Sequence, residues 1–124
     1  MSNSEKLLIG SIYYFGEEKE PCIIVDNTLS DDYFAVITSK GETTVQSMES
    51  IRGLVKISSE FPEDLYKLMR ECCDLYCKKE KLYKEYIMES DVTKKEQISM
   101  EHTVLSSDYL SIVRKLTDYA NNSL

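Results

Sequence analysis

The sequence predicts an α+β fold: a small N-terminal antiparallel β-sheet or barrel over residues 1–57, followed by a long two-helix hairpin over 58–124, packed with it as one domain. Two observations carry this prediction. Before residue 58 the chain is rich in Ile, Val, Thr, Tyr and Phe, and it holds all four glycines, Gly10, Gly16, Gly41 and Gly53. After it the chain turns to Leu, Lys, Glu and Tyr with no glycine, and its apolar residues shift from alternating runs to steps of three and four.

The elements follow in order. Leu7 to Phe15 reads as a strand with Gly10 a bulge or close-approach point. The polar turn Gly16-Glu17-Glu18-Lys19-Glu20 leads to a second strand, Pro21 to Asp26, with Ile23-Ile24-Val25 a continuous apolar run and its proline acceptable at a strand start. Asn27 to Asp32 is a loop and Tyr33 to Thr38 a third strand. Ser39-Lys40-Gly41-Glu42 is a hairpin turn with its glycine free for positive φ. Thr43 to Met48 continues the ladder, and Leu54 to Ile57 closes it after a turn at Gly53. Short meandering strands of this kind predict an SH3-like or similar small β unit.

Ser59 is the expected N-cap of the first helix, with Pro62, Glu63 and Asp64 in its first turn. Phe61, Leu65, Leu68, Cys72, Leu75, Lys79, Leu82 and Tyr86 then form a stripe. A second stripe runs beside it through Met69, Cys73, Tyr76, Tyr83 and Ile87. Together they are wider than a two-stranded coiled-coil seam requires. The helix is expected to end near Ser90-Asp91, and Thr93-Lys94-Lys95-Glu96 reads as a capping box opening the next. Ile98, His102, Leu105, Tyr109, Ile112, Leu116 and Tyr119 stripe the second helix, which Ser106-Ser107-Asp108 can interrupt. Each helix has about 28 residues, or about 40 Å, against a barrel about 15–20 Å across. The helices therefore overhang. Their uncovered stripes predict a homodimer or higher homo-oligomer; the alternative is a monomer whose hairpin kinks at Ser106-Ser107 and folds back.

Composition narrows the function. With 22 Asp+Glu against 15 Lys+Arg the net charge is -7, which disfavours binding of a nucleic acid polymer. No apolar run approaches the roughly 18 residues of a membrane span, and the first residues carry no signal-peptide pattern. The chain is expected in the cytoplasm with reduced thiols. Cys72, Cys73 and Cys77 lie within six residues of one helix, where buried packing is favoured over a metal site built on the Cys73–Cys77 spacing. Paired carboxylates (Glu17-Glu18, Asp31-Asp32, Glu63-Asp64) read as solvated turns. No catalytic motif is present, no cofactor is expected, and His102 reads as a helix-packing residue rather than a base.

Two features stand above this background. Tyr13-Tyr14-Phe15 ends the first strand; Tyr13 and Phe15 share a face and can stack on a flat ring unless both faces are covered. Arginine is scarce: Arg52, Arg70 and Arg114 stand among twelve lysines, so each is a candidate for phosphate contact.

The run Leu8-Ile9-Gly10-Ser11-Ile12-Tyr13-Tyr14, with Ile24-Val25-Asp26 and Phe34-Ala35-Val36-Ile37-Thr38, ahead of two long helices in an acidic chain, resembles the phage Thoeris anti-defence sponges. The resemblance implies a non-enzymatic protein of the host cytoplasm. It would sequester a cyclic ADP-ribose isomer intact and assemble as a dimer or larger oligomer. A cyclic adenine dinucleotide needs a ring, cations and polar groups, and the chemistry nominates Tyr13 or Phe15 to stack, Arg52 and Arg114 to hold phosphate, and Asp118 and Asn121 to read ribose hydroxyls. The other reading is a small protein-interaction module or inhibitor that docks by its helical hairpin.

Overall fold

The computed structural model describes residues 7–58 and 61–122. Five strands, β1 (Ile12–Phe15), β2 (Glu20–Asp26), β3 (Tyr33–Thr38), β4 (Thr43–Ser47) and β5 (Ile51–Leu54), precede two helices, α1 (Glu63–Met88) and α2 (Val92–Asn122). The sheet is antiparallel in the order β4-β3-β2-β1-β5. The α+β architecture is the one the sequence predicts.

Pairing sets which side chains meet. Ile12 stands opposite Ile23, and Ile23 opposite Ile37. With Val25, Ala35 and Val55 they form the face that packs on Phe61, Leu65, Met69, Cys72, Cys73, Ile112 and Leu116. The alternate residues Phe15, Cys22, Ile24, Phe34 and Val36 form a second core, flanked by Leu7, Tyr13, Met48 and Ile51. Among the described residues no helix covers that face, so the sheet must roll over it. The connection from β4 to β5 requires the same. A flat five-stranded sheet would hold its edge strands about 19 Å apart, while the single 3-10 turn Met48–Ser50 spans about 6 Å. The edges are therefore brought together as in a small barrel, and the turn is pinned by Met48 N–H to Asp32 O (2.9 Å) and Gly16 N–H to Ser50 O (2.8 Å).

The closing strand lies earlier than the sequence suggested. Gly53 is inside β5, not in a turn before it. Tyr14 pairs with Gly53 and Phe15 with Ile51, so Arg52 is the extra residue of a β-bulge. β1 also starts later than expected, because Leu8 to Ser11 make a turn (Ser11 N–H to Leu8 O, 3.1 Å) around Gly10.

The helices begin where local hydrogen bonds dictate. Pro62 occupies the cap position of α1 and contributes no side-chain bond; Ser59, expected there, lies outside the described residues. The cap of α2 is Asp91, not Thr93: its carboxylate accepts from the N–H groups of Thr93 (2.9 Å) and Lys94 (3.2 Å). The helix runs unbroken through Ser106-Ser107-Asp108. Within it Thr103 bonds back to Ser99 O and Ser106 Oγ pairs with His102 Nδ1, so these side chains find partners without ending the helix.

Hydrogen bonds help seat the hairpin on the barrel. Cys73 Sγ stands 3.5 Å from Ile24 O of β2, and the Cys77 thiol donates to Val25 O (3.7 Å). At the β3–β4 turn, Thr117 Oγ1 donates to Lys40 O (3.0 Å). Gly41, at φ +89, lies so close to α2 that an added Cβ would stand 3.0 Å from Val113 Cγ1 and 3.1 Å from its carbonyl oxygen.

Candidate functional site on the overhanging hairpin

The residues nominated for nucleotide binding are spread over three elements. Phe15 is 2% exposed and packs on Phe34 at 5.7 Å between ring centroids, which leaves it no face for a ligand ring. Tyr13 is half-buried with its ring edge-on to Phe15 at 6.3 Å; both faces of the strand are occupied, one by each core. Arg52 is on β5, its Nη1 donating to Glu49 O at 2.9 Å, so the bulge aims it at the end of the 3-10 turn. Arg114, Asp118 and Asn121 are exposed on α2. Of the six, Asn121 lines a groove of about 410 Å³ with Lys40, Gly41, Glu42 and Thr117. The third arginine, Arg70, donates to Gly10 O at 3.2 Å and lies over the Tyr66 ring.

Among the described residues no group of three or more His, Cys, Asp or Glu comes together as a metal site, and the Cys73–Cys77 spacing gains no further ligands. His102 faces Tyr83 (6.4 Å between rings) and Ser106.

The arrangement that does emerge is the far half of the hairpin. The stripe that carries Leu65, Met69, Cys72 and Tyr76 under the sheet continues at helical spacing to Tyr83 and Ile87. Cys77 makes the last hydrogen bond from α1 to the sheet among the described residues. Past it Tyr83 is 54%, Ile87 57% and Met88 84% exposed, and Tyr86, Val92, Met100 and Val104 are exposed too. From residue 78 to 111 no described side chain is fully buried. Two adjoining hollows run along this overhang and share Tyr86 and Ser99. One, about 210 Å³, is completed by Tyr83, His102 and Thr103; the other, about 460 Å³, by Val92, Lys95, Glu96 and Met100.

Its charge is mixed. Lys95 Nζ sits 4.8 Å over the Tyr86 ring, and Lys78, Lys81, Lys84 and Lys94 are exposed nearby. At the adjacent rim of the barrel stand Asp26, Asp31 and Asp32. The Thr28 hydroxyl, 2.6 Å from Asp26 Oδ1, holds that carboxyl below its usual range, with Lys84 of the hairpin adding to the effect. The overhang is thus an apolar trough with a border of mixed charge, lined by both Lys95 and Glu96, beside an acidic loop.

Tyr83, Ile87 and His102 were visible in the sequence as stripe positions. The signal that singles them out is length: they fall beyond the reach of a sheet under 20 Å wide.

No family model, curated protein or solved structure matches the chain. No helix among the described residues is long and apolar enough to cross a membrane.

Proposed function

We propose that the protein is an interaction module: the barrel is a platform that holds out a helical hairpin, and the hairpin's far half docks onto another protein surface. The observation that carries this reading is that Tyr83, Tyr86, Val92 and Met100 line two adjoining hollows, with Ile87 and Met88 also exposed on the same half of the hairpin. Exposed apolar patches of several hundred Å² on soluble proteins mark contact sites, and tyrosine and methionine are enriched in the cores of such interfaces. A photo-crosslinking residue at Ile87 or Met100 is expected to give discrete adducts in cells producing the protein. The same residue at Glu49, on the barrel, is expected to give none. Equal or absent adducts at all three positions would overturn the reading.

A second reading is sequestration of a cyclic adenine dinucleotide, in line with the resemblance to the anti-defence sponges. What favours it is the trough itself, where Tyr83, Tyr86 and His102 supply rings and Lys95 a cation. On this reading a panel of cyclic ADP-ribose isomers raises the melting temperature by mass action. Tyr86→Ala removes the shift, and denaturation returns the ligand intact. No shift with any isomer would remove it.

A further inference from the structure

We propose that Cys73 and Cys77 form a two-thiolate site for a soft monovalent cation, copper(I), at the point where α1 leaves the sheet. The site uses none of the overhang's apolar residues, so it stands or falls apart from the docking reading.

Position supports it first. The two cysteines are one turn apart on one face of α1. Cys73 is 2% exposed and Cys77 half-buried, so the pair runs from the core to the surface with Cys77 at its open end. β2 holds both sulfurs side by side. Ile24 pairs with Val36 and Asp26 with Ala35, which makes Val25 the extra residue of a β-bulge. Two successive carbonyls thereby reach one helix: Ile24 O stands 3.5 Å from Cys73 Sγ, and Val25 O 3.7 Å from Cys77 Sγ. Ile24 O already accepts from Gly10 N–H at 2.8 Å. The Cys73 proton is therefore left for its hydrogen bond to Cys77, which brings the two sulfurs face to face.

Spacing then selects the chemistry. Cβ atoms one helical turn apart are about 5–6 Å from each other, wider than the roughly 3.5–4.5 Å that a disulfide spans. A single ion between the sulfurs fills that gap, because two thiolate–metal bonds of about 2.3 Å in line hold them about 4.6 Å apart. Zinc asks for four ligands, and among the described residues no third His, Cys, Asp or Glu joins the pair. Cys72 hydrogen-bonds with Tyr109 instead. Copper(I) is complete between two thiolates, and soft sulfur ligands select it over harder ions.

Charge agrees. Asp26, Asp74 and Glu80 act on Cys77, against Arg70 acting on Cys73, so the open end attracts a cation. Both cysteines bind as thiolates; any thiol proton still on the pair leaves to solvent as the ion enters, and no electron is transferred.

The test is an anaerobic titration of the full chain, its thiols reduced, with copper(I) supplied as the coloured bicinchoninate complex. The chain is expected to take one equivalent from the chelator, and copper K-edge absorption should show two sulfur neighbours. Zinc(II) in excess should not displace the ion. Cys77→Ser and Cys73→Ala, each confirmed as folded by circular dichroism, should weaken capture by about a hundredfold or more, since each removes a ligand that acts at high effective concentration. Cys22→Ala, in the other core, should leave capture unchanged. One readout needs no variant: bound copper should protect Cys77 of the parent chain from iodoacetamide. Failure to take copper from the chelator, a nitrogen or oxygen donor shell, or Cys77 labelled equally fast with copper bound would each overturn the proposal. So would undiminished capture by the folded Cys77→Ser chain.

Discussion

At the scale of single residues the four thiols show how position, not type, sets chemistry. Burial pushes Cys22 up to about 12, with Glu20 adding to the shift, and pushes Cys72 up to about 11. In the Cys73–Cys77 pair the buried Cys73 keeps its proton, raised by its hydrogen bond to Cys77 and by burial. The same bond draws Cys77, which is half-buried, below the ordinary thiol value. A thiolate and not a thiol reacts with alkylating agents. Iodoacetamide near neutral pH is therefore expected to modify Cys77 first and the other three only after unfolding, as read by peptide mass mapping. Cys73→Ala takes away the donor, returns Cys77 toward the ordinary value and slows its labelling. Uniform labelling of all four thiols in the folded protein would contradict this order.

At the scale of elements, β2, β3 and the two helices were legible because apolar spacing and turn residues agree there. Tyr33–Thr38 is bounded as read, and Gly41 takes the positive φ its turn demands. The boundaries that moved did so for local reasons. Arg52-Gly53 has the composition of a turn, yet the chain must reach β1 immediately after a three-residue 3-10 turn, so these residues pair and Arg52 bulges. The start of α2 moved by two residues because Asp91 outcompetes Thr93 as an acceptor for the first N–H groups. Asp91→Ala is expected to cost about 1 kcal/mol in urea unfolding. Thr93→Ala, inside the first turn, should cost less; equal costs would restore Thr93 as the cap. The ligand residues were not legible. Whether Phe15 faces ligand or core depends on the sheet rolling over itself, which depends on partners twenty residues away. The overhang was legible, because it needs only the length of two helices and the width of a small sheet.

At the scale of the molecule, cohesion is uneven. Among the described residues every fully buried helical side chain lies in Leu65–Cys73 or Ile112–Leu116, so these segments share their fate with the sheet. The hairpin between them rests on contacts of one helix with the other, such as Lys95 with Tyr86 and Tyr83 with His102. Hydrogen exchange should therefore be slowest in Leu65–Tyr76 and Tyr109–Leu116. Residues 82–104 should exchange more than about tenfold faster. Protection that is uniform along both helices would contradict this division.

The seat of α2 on the β3–β4 turn also bears on how the protein is made. Ile12, Ile23 and Ile37 are finished early in synthesis, but Ile112 and Leu116, which roof them, and Thr117, which latches Lys40, emerge some 75 residues later. At about 5–20 residues per second, the ribosome leaves that interval at about 4–15 s. Through it the newborn sheet carries a bare oily side into a crowded cell. Anything that slows translation over the helical half lengthens the time in which two nascent chains can stick to each other there instead of to their own roofs.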